Sequence, residues 1–208
     1  MPTDVDIGNM ALSRLGTRAT IADLSESSTE ARALSTHYDT VRDSILRARN
    51  WNFARINRAL SLSGTAPARW TYSYAWPSDC LRFLTIDPGA LPMWLTQDSC
   101  RPNPRRRFEI GSDGSNRFIW TDEAAAVAIY LQRVTDPNRY DPGFTTCFVD
   151  ALAAAVAYPI TQKAEIATRM ENRARLSLEN AAAQSANEDE TPGWANWQAE
   201  YVTARGRA

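Results

Sequence analysis

Lysine is almost missing from this chain. Lys163 stands alone among 23 basic residues, and the other 22 are arginine. Histidine is equally scarce, with His37 the single example. One histidine excludes a metal site built on paired histidines, and a Ser/His/Asp set would need His37 open to a cleft. Its position beside the apolar stripe of a helix suits a surface or boundary role instead. Cys80, Cys100 and Cys147 are odd in number and far apart. They fit buried thiols in a reducing compartment better than a disulfide framework or a metal site. No Gly-rich phosphate loop is present, because Gly111-Ser112-Asp113-Gly114 lacks both the spacing and the lysine. Carboxylates are plentiful but scattered, the pattern of solvated faces. The most apolar stretch, Ala151 to Tyr158, is too short to span a bilayer, and Met1-Pro2-Thr3-Asp4 does not open a signal peptide. A formal net charge of −1 gives no global pull towards nucleic acid or membrane.

What is present is arginine, tryptophan and helical periodicity. Arginine pairs with carboxylates and stacks on aromatic rings, and tryptophan is enriched at interfaces, of which the 208 residues hold seven. A hydrophobic share of 44% supports one domain with a real core, or a small domain carrying an insertion. The first helix is expected from a cap at Thr3 or Asp4 to a stop at Gly16, with Ile7, Met10, Ala11 and Leu15 at helical spacing. Thr17 to Glu26 reads as a connector, with Ile21 and Leu24 dipping into the core. Ser27 or Ser28 caps a second helix ending near Asn50, whose stripe is Leu34, Tyr38, Val41 and Ile45. It runs into an aromatic knot, Asn50-Trp51-Asn52-Phe53-Ala54. Trp51, Phe53, Tyr38 and Leu152 are assigned to the core.

The middle changes character. Pro67, Pro77, Pro88, Pro92, Pro102 and Pro104 break any long helix. Alternating Trp70, Tyr72 and Tyr74 predict a half-buried strand, followed by strands at Leu81 to Ile86, Phe108 to Ile110, Phe118 to Trp120 and Ala126 to Val134. A hairpin turn is expected at Gly111-Ser112-Asp113-Gly114. Helices return with Asp141 as cap and Pro142 at the first helical position. Phe144, Phe148, Leu152 and Val156 form one stripe, and Pro159 is expected to end or kink that helix. A further helix is read over Thr161 to Ala186, polar almost all round, so it lies at the periphery or meets a neighbouring subunit.

Two segments stand apart. Arg101, Arg105, Arg106 and Arg107 lie in a proline-containing loop, which reads as solvated, as a phosphate contact, or as a contact for an acidic protein surface. After the breaker Thr191-Pro192-Gly193 come Trp194, Trp197 and Tyr201, then Arg205 and Arg207. That tail packs back on its own domain or docks on another chain. The architecture expected is α+β. A mainly helical bundle of about four helices, from residues 1–54 and 136–190, carries a small antiparallel β region over 55–135, and 191–208 form a terminal tail.

Taken in order, several stretches resemble one family. Ile7-Gly8-Asn9-Met10-Ala11-Leu12-Ser13-Arg14-Leu15-Gly16, then Tyr38 with Arg42-Asp43, then Trp51-Asn52-Phe53-Ala54 are similar to the opening of bacteriophage head-to-tail adaptors of the tail tubular protein A (gatekeeper ring) type. Trp76-Pro77-Ser78-Asp79-Cys80-Leu81-Arg82 resembles that family's Pro-x-Asp-Cys-Leu-Arg element. Asp136 to Phe144, Leu152-Ala153 and Ala157-Tyr158-Pro159-Ile160-Thr161 resemble its return helix. The resemblance implies a non-enzymatic virion protein without cofactor or membrane contact, made in the host cytoplasm and located at the head–tail junction. Such adaptors form a ring of about a dozen copies beneath the capsid portal. A tail nozzle or connector sits on the other face, and genomic DNA passes through the channel with transient, non-specific contact. On that basis Trp194, Trp197, Tyr201, Arg205 and Arg207 are expected to dock on the portal. Arg101, Arg105, Arg106 and Arg107 are expected at the tail-facing end or the lumen. Arg169, Arg173, Arg175 and Glu179 are expected at the contact between subunits. The alternative is an accessory DNA-binding protein using the arginine-rich 101–107 loop.

Overall fold

The chain begins its first helix with a reciprocal cap. In the computed structural model, which describes residues 2–87 and 107–188, Thr3 Oγ1 accepts from the Asp6 amide and Asp6 returns the bond to the Thr3 amide. That capping box starts α1, Asp4–Arg14. Gly16, at φ +75°, takes the left-handed turn that releases the chain, as expected. The connector is then pinned rather than loose. The Asn9 side chain donates to the Ile21 carbonyl and accepts from the Ile21 amide, so Ile21 is drawn into the core.

Helix α2, Thr29–Ala48, starts at Ser28 and buries Ala31, Leu34, Tyr38, Arg42, Ile45 and Leu46. The expected stripe is thus displaced: Val41 is only partly buried, and the neighbouring Arg42 is buried instead. Arg42 tolerates that place because Asp39 and Asp43 bond its guanidinium at 2.7–3.0 Å. The helix ends at Ala48, two residues before the expected stop, where Arg49 turns extended.

Helix α3, Pro142–Thr161, opens with Asp141 accepting from the Gly143 and Phe144 amides. One side of it packs: Phe144, Phe148, Leu152 and Val156 are fully buried, and Cys147, Asp150, Ala153 and Ala157 are buried beside them. Pro159 does not end it. The proline sits in the last turn, and the helix stops at Gln162, which adopts φ +53° and donates to the Tyr158 carbonyl. Helix α4, Ala164–Asn187, runs back along α3 and is 24 residues, about 36 Å, long. It buries Met170, Ala181 and Ser185 and leaves most of its circumference exposed.

Between the helices, the described residues form six strands in two antiparallel sheets. Sheet A has the order β1–β6–β3, built from β1 Arg55–Ala59, β6 Val127–Gln132 and β3 Cys80–Ile86. Sheet B has the order β2–β5–β4, built from β2 Tyr72–Ala75, β5 Arg117–Thr121 and β4 Phe108–Ser112. The β4–β5 hairpin turns at Asp113–Asn116, two residues beyond the expected start because Gly111 and Ser112 belong to β4, with the Asp113 carboxylate accepting from the Ser115 and Asn116 amides. Strand β1 was not separately recognisable, since four of its five residues are exposed and it lacks alternation. The α+β class holds. The molecule is not mainly a bundle, however, because the sheets enclose a core of their own: Tyr74, Phe83, Ile86, Ile119, Ala126, Ala128 and Tyr130 form a cluster separate from the helical one.

Candidate functional site

The stretches that carry the resemblance meet where helices join sheet. Trp51 is completely buried, donates its indole N–H to the Ile45 carbonyl at 2.9 Å, and meets the Phe144 ring edge-on at 5.1 Å. Phe53 is partly buried against Tyr140 and Phe144. Asn52 reaches across to α4, donating to the Ser185 carbonyl at 2.6 Å. The end of α2 is latched to β3 in both directions. Arg47 donates to the Leu81 carbonyl, while Arg82 donates to the Arg47 carbonyl and to Asn50. Short polar side chains and arginines at this knot therefore tie four elements that the chain visits at different times.

Asp79 is a second hub. Its carboxylate accepts from the Tyr130 hydroxyl at 2.8 Å, from Gln132 at 2.9 Å and from Arg58 at 3.1 Å, joining β1 and β6 to the turn before β3. Burial pushes this carboxyl up, but the Tyr130 bond, the Arg58 charge and the Gln132 bond together hold it below the ordinary 3.8. Next to it, burial and the Asp79 charge push the Cys80 thiol up to about 12. Burial raises Cys147 to about 12 as well, with Asp150 and Asp141 adding to the effect. Both thiols are reduced and buried. Cys100 lies outside the described residues.

A third cluster locks the helices. Asp150 is the single charged residue of α3 and is only 2% exposed. Arg14 of α1 reaches its Oδ1 at 3.2 Å and Arg173 of α4 at 3.0 Å. Arg173, expected at the subunit contact, is half exposed and pairs with Asp150 of its own chain, because a buried carboxylate needs a cation. Arg169, Arg175 and Glu179 are exposed on α4. A lone acid within an otherwise apolar helix was the available signal for Asp150, and the residue reading passed over it. Separately, Arg133 meets Asp43 Oδ2 at 2.9 Å, joining the Arg42 cluster of α2, and nothing in its local sequence marks it.

The arginine segment is described only from Arg107. That residue is exposed, its guanidinium lies 5.6 Å from the centroid of the Trp70 ring, and its carbonyl accepts from Thr121 Oγ1. Trp70 donates to Glu109, which also pairs with Arg69. Arg101, Arg105 and Arg106, and the tail residues Trp194, Trp197, Tyr201, Arg205 and Arg207, lie outside the described residues. Tyr38 and Leu152 are buried in the helical core, and the Tyr38 hydroxyl donates to Asp4 at 2.8 Å.

These contacts tie elements together. Among the described residues, no three His, Cys, Asp or Glu side chains gather as a metal site. The expectation about membrane spans needs one correction. Helix α3 has 20 residues and a mean hydropathy of 1.4, long and apolar enough to cross a bilayer, whereas the run counted from the residues was shorter. Half of it is buried against the other helices, as the central helix of a packed core requires. No family model matches the chain, and a search of curated proteins finds no match either.

Proposed function

We propose that the protein is a head-to-tail adaptor of a bacteriophage virion. In this reading about a dozen copies form a ring between the capsid portal and a tail nozzle or connector, and DNA passes through the centre. The observation that carries the reading is the convergence at the helix-to-sheet junction. Rings of the resembling stretches, far apart in the chain, pack on one another there: Trp51 and Phe53 against Phe144, and Phe53 against Tyr140. A ring subunit under load from DNA and tail needs helices and sheet held as one piece, and these ties supply that. The exposed charges Arg169, Arg175 and Glu179 on α4 supply a surface for neighbouring copies. The aromatic and arginine tail from Trp194 to Arg207 supplies a segment for the portal.

A second reading draws on Arg107, exposed beside Trp70 at the end of the arginine-rich segment. It makes the protein an accessory factor that holds duplex DNA through phosphates. Particle mass and negative-stain imaging, alone and after adding the cognate portal protein, separate the two. A ring of about a dozen copies in either condition supports the adaptor. A monomer that ignores the portal, yet binds duplex DNA with steep salt dependence, overturns it in favour of the second reading.

A further inference from the structure

The ties between helices and sheets are of two kinds, and both meet one end of sheet A. Arg55 pairs with Leu131, Arg82 with Leu131 and Cys80 with Gln132. The start of β1, the end of β6 and the start of β3 therefore lie side by side. At the first two the chain itself crosses to the helices, through residues 51–55 and 132–137. Both crossings are fastened in the helical core. Trp51, Ala54 and Val134 are at most 1% exposed there. Asn52 bonds Ser185 of α4, and the Tyr140 hydroxyl donates to the Val134 carbonyl. The Arg133–Asp43 ion pair sits beside the second crossing.

The start of β3 is held otherwise. Arg47 donates to the Leu81 carbonyl and Arg82 to the Arg47 carbonyl, both at 2.9 Å, and Arg82 also donates to Asn50 Oδ1. All three bonds are open to water, and all end on neutral oxygens. Among the described residues, Leu81 is the single strand residue packed on the helical cluster, and it is only partly buried. Local opening begins where few apolar contacts are buried and the polar bonds meet solvent. A small polar seam between two cores is also the arrangement that permits relative motion.

Each side keeps its own structure when the seam parts. Tyr74 and Ile119 of sheet B share one core with Phe83, Ile86, Ala128 and Tyr130 of sheet A. Asp79 holds the turn before β3 to β6, its carboxylate through Tyr130 and Gln132 and its carbonyl through the Arg133 amide. On the other side, Ile45 and Leu46 keep the end of α2 in the helical core. Breaking the three bonds and lifting Leu81 thus leaves the ties within each unit intact. We propose that the two sheets form one body that pivots on the crossings, with Arg47 and Arg82 as the latch that holds it closed against α2. The pivot is a property of the fold and stands apart from the adaptor reading.

Spin labels measure the angle. One is placed on α4 by Glu171→Cys and the other on the β4–β5 turn by Ser115→Cys, both exposed positions, in a Cys100→Ser chain. Labelled chains are diluted in unlabelled ones, so that distances within one chain are read. Cys80 and Cys147 are buried in the sheet core and the helical core, and their reaction with a thiol reagent reports on each. The latched protein should give one narrow distance by double electron–electron resonance. Arg82→Ala should broaden that distribution at least about twofold while Cys80 and Cys147 stay as unreactive as before. An unchanged distribution overturns the latch. Broadening with faster reaction at Cys80 or Cys147 means that a unit unfolds, and overturns the rigid pivot. If Arg82→Ala fails to fold, Leu81→Ala takes its place. It removes the apolar contact, leaves both arginines, and is read by the same two outcomes.

Discussion

Two residues show how single side chains hold this molecule. Trp51 fills the junction with its ring and satisfies its one polar atom internally. Replacing it by alanine should cost about 3–5 kcal/mol in a urea melt. A loss below about 1 kcal/mol would mean that the ring contributes little to packing. Its core place was readable, because a tryptophan closing a helical stripe has few other homes. Asp79 acts through protons. Its folded value lies below its unfolded one, so its contribution is present above about 3.9 and is lost as the pH falls through the folded value. Asp79→Asn should therefore cost about 1–3 kcal/mol at neutral pH, and the gap to wild type should close as the pH drops below about 3.8. Urea melts from pH 7 down to pH 2.5 measure this, and a gap that stays constant with pH contradicts it. The motif containing Asp79 was visible in the chain. Its partners were not, because Tyr130 and Gln132 lie more than fifty positions downstream.

At the scale of elements, most boundaries followed from local chemistry. The capping box at Thr3, the left-handed Gly16 and the Asp141-Pro142 start each act within a few residues, so they are legible without tertiary knowledge. The helix runs two residues past Pro159, because a proline in a final turn removes one bond and little else. What joins the helices was less legible. Asp150 draws Arg14 and Arg173 from two other helices onto one carboxylate. Either arginine alone keeps the carboxylate paired, so Arg14→Ala or Arg173→Ala should each cost below about 1.5 kcal/mol. The double variant leaves a buried charge unpaired and should cost about 3–5 kcal/mol, well above the sum. A double-mutant cycle by urea denaturation checks this, and simple additivity would show that the two arginines act independently. Gly111 gives the sheet's counterpart. A Cβ there would stand 2.0 Å from the Trp120 ring, so the bare backbone is what allows that indole to lie across β4.

Across the whole molecule, the amino-acid sequence by itself determined the α+β class, the starts of the first three helices and most of the strands, because capping, periodicity and turn chemistry act over a few residues; the last helix, which has no side-chain cap, starts at Ala164 and not at Thr161. It also carried the ordered resemblance on which the adaptor reading rests. Only the tertiary structure decided how those pieces are joined. It engaged Arg173 within its own chain, buried Arg42 in place of Val41, and divided the interior into a helical core and a separate sheet core. The physical reason is distance along the chain. A buried charge is defined by what packs beside it, and those neighbours come from segments whose local patterns do not refer to one another.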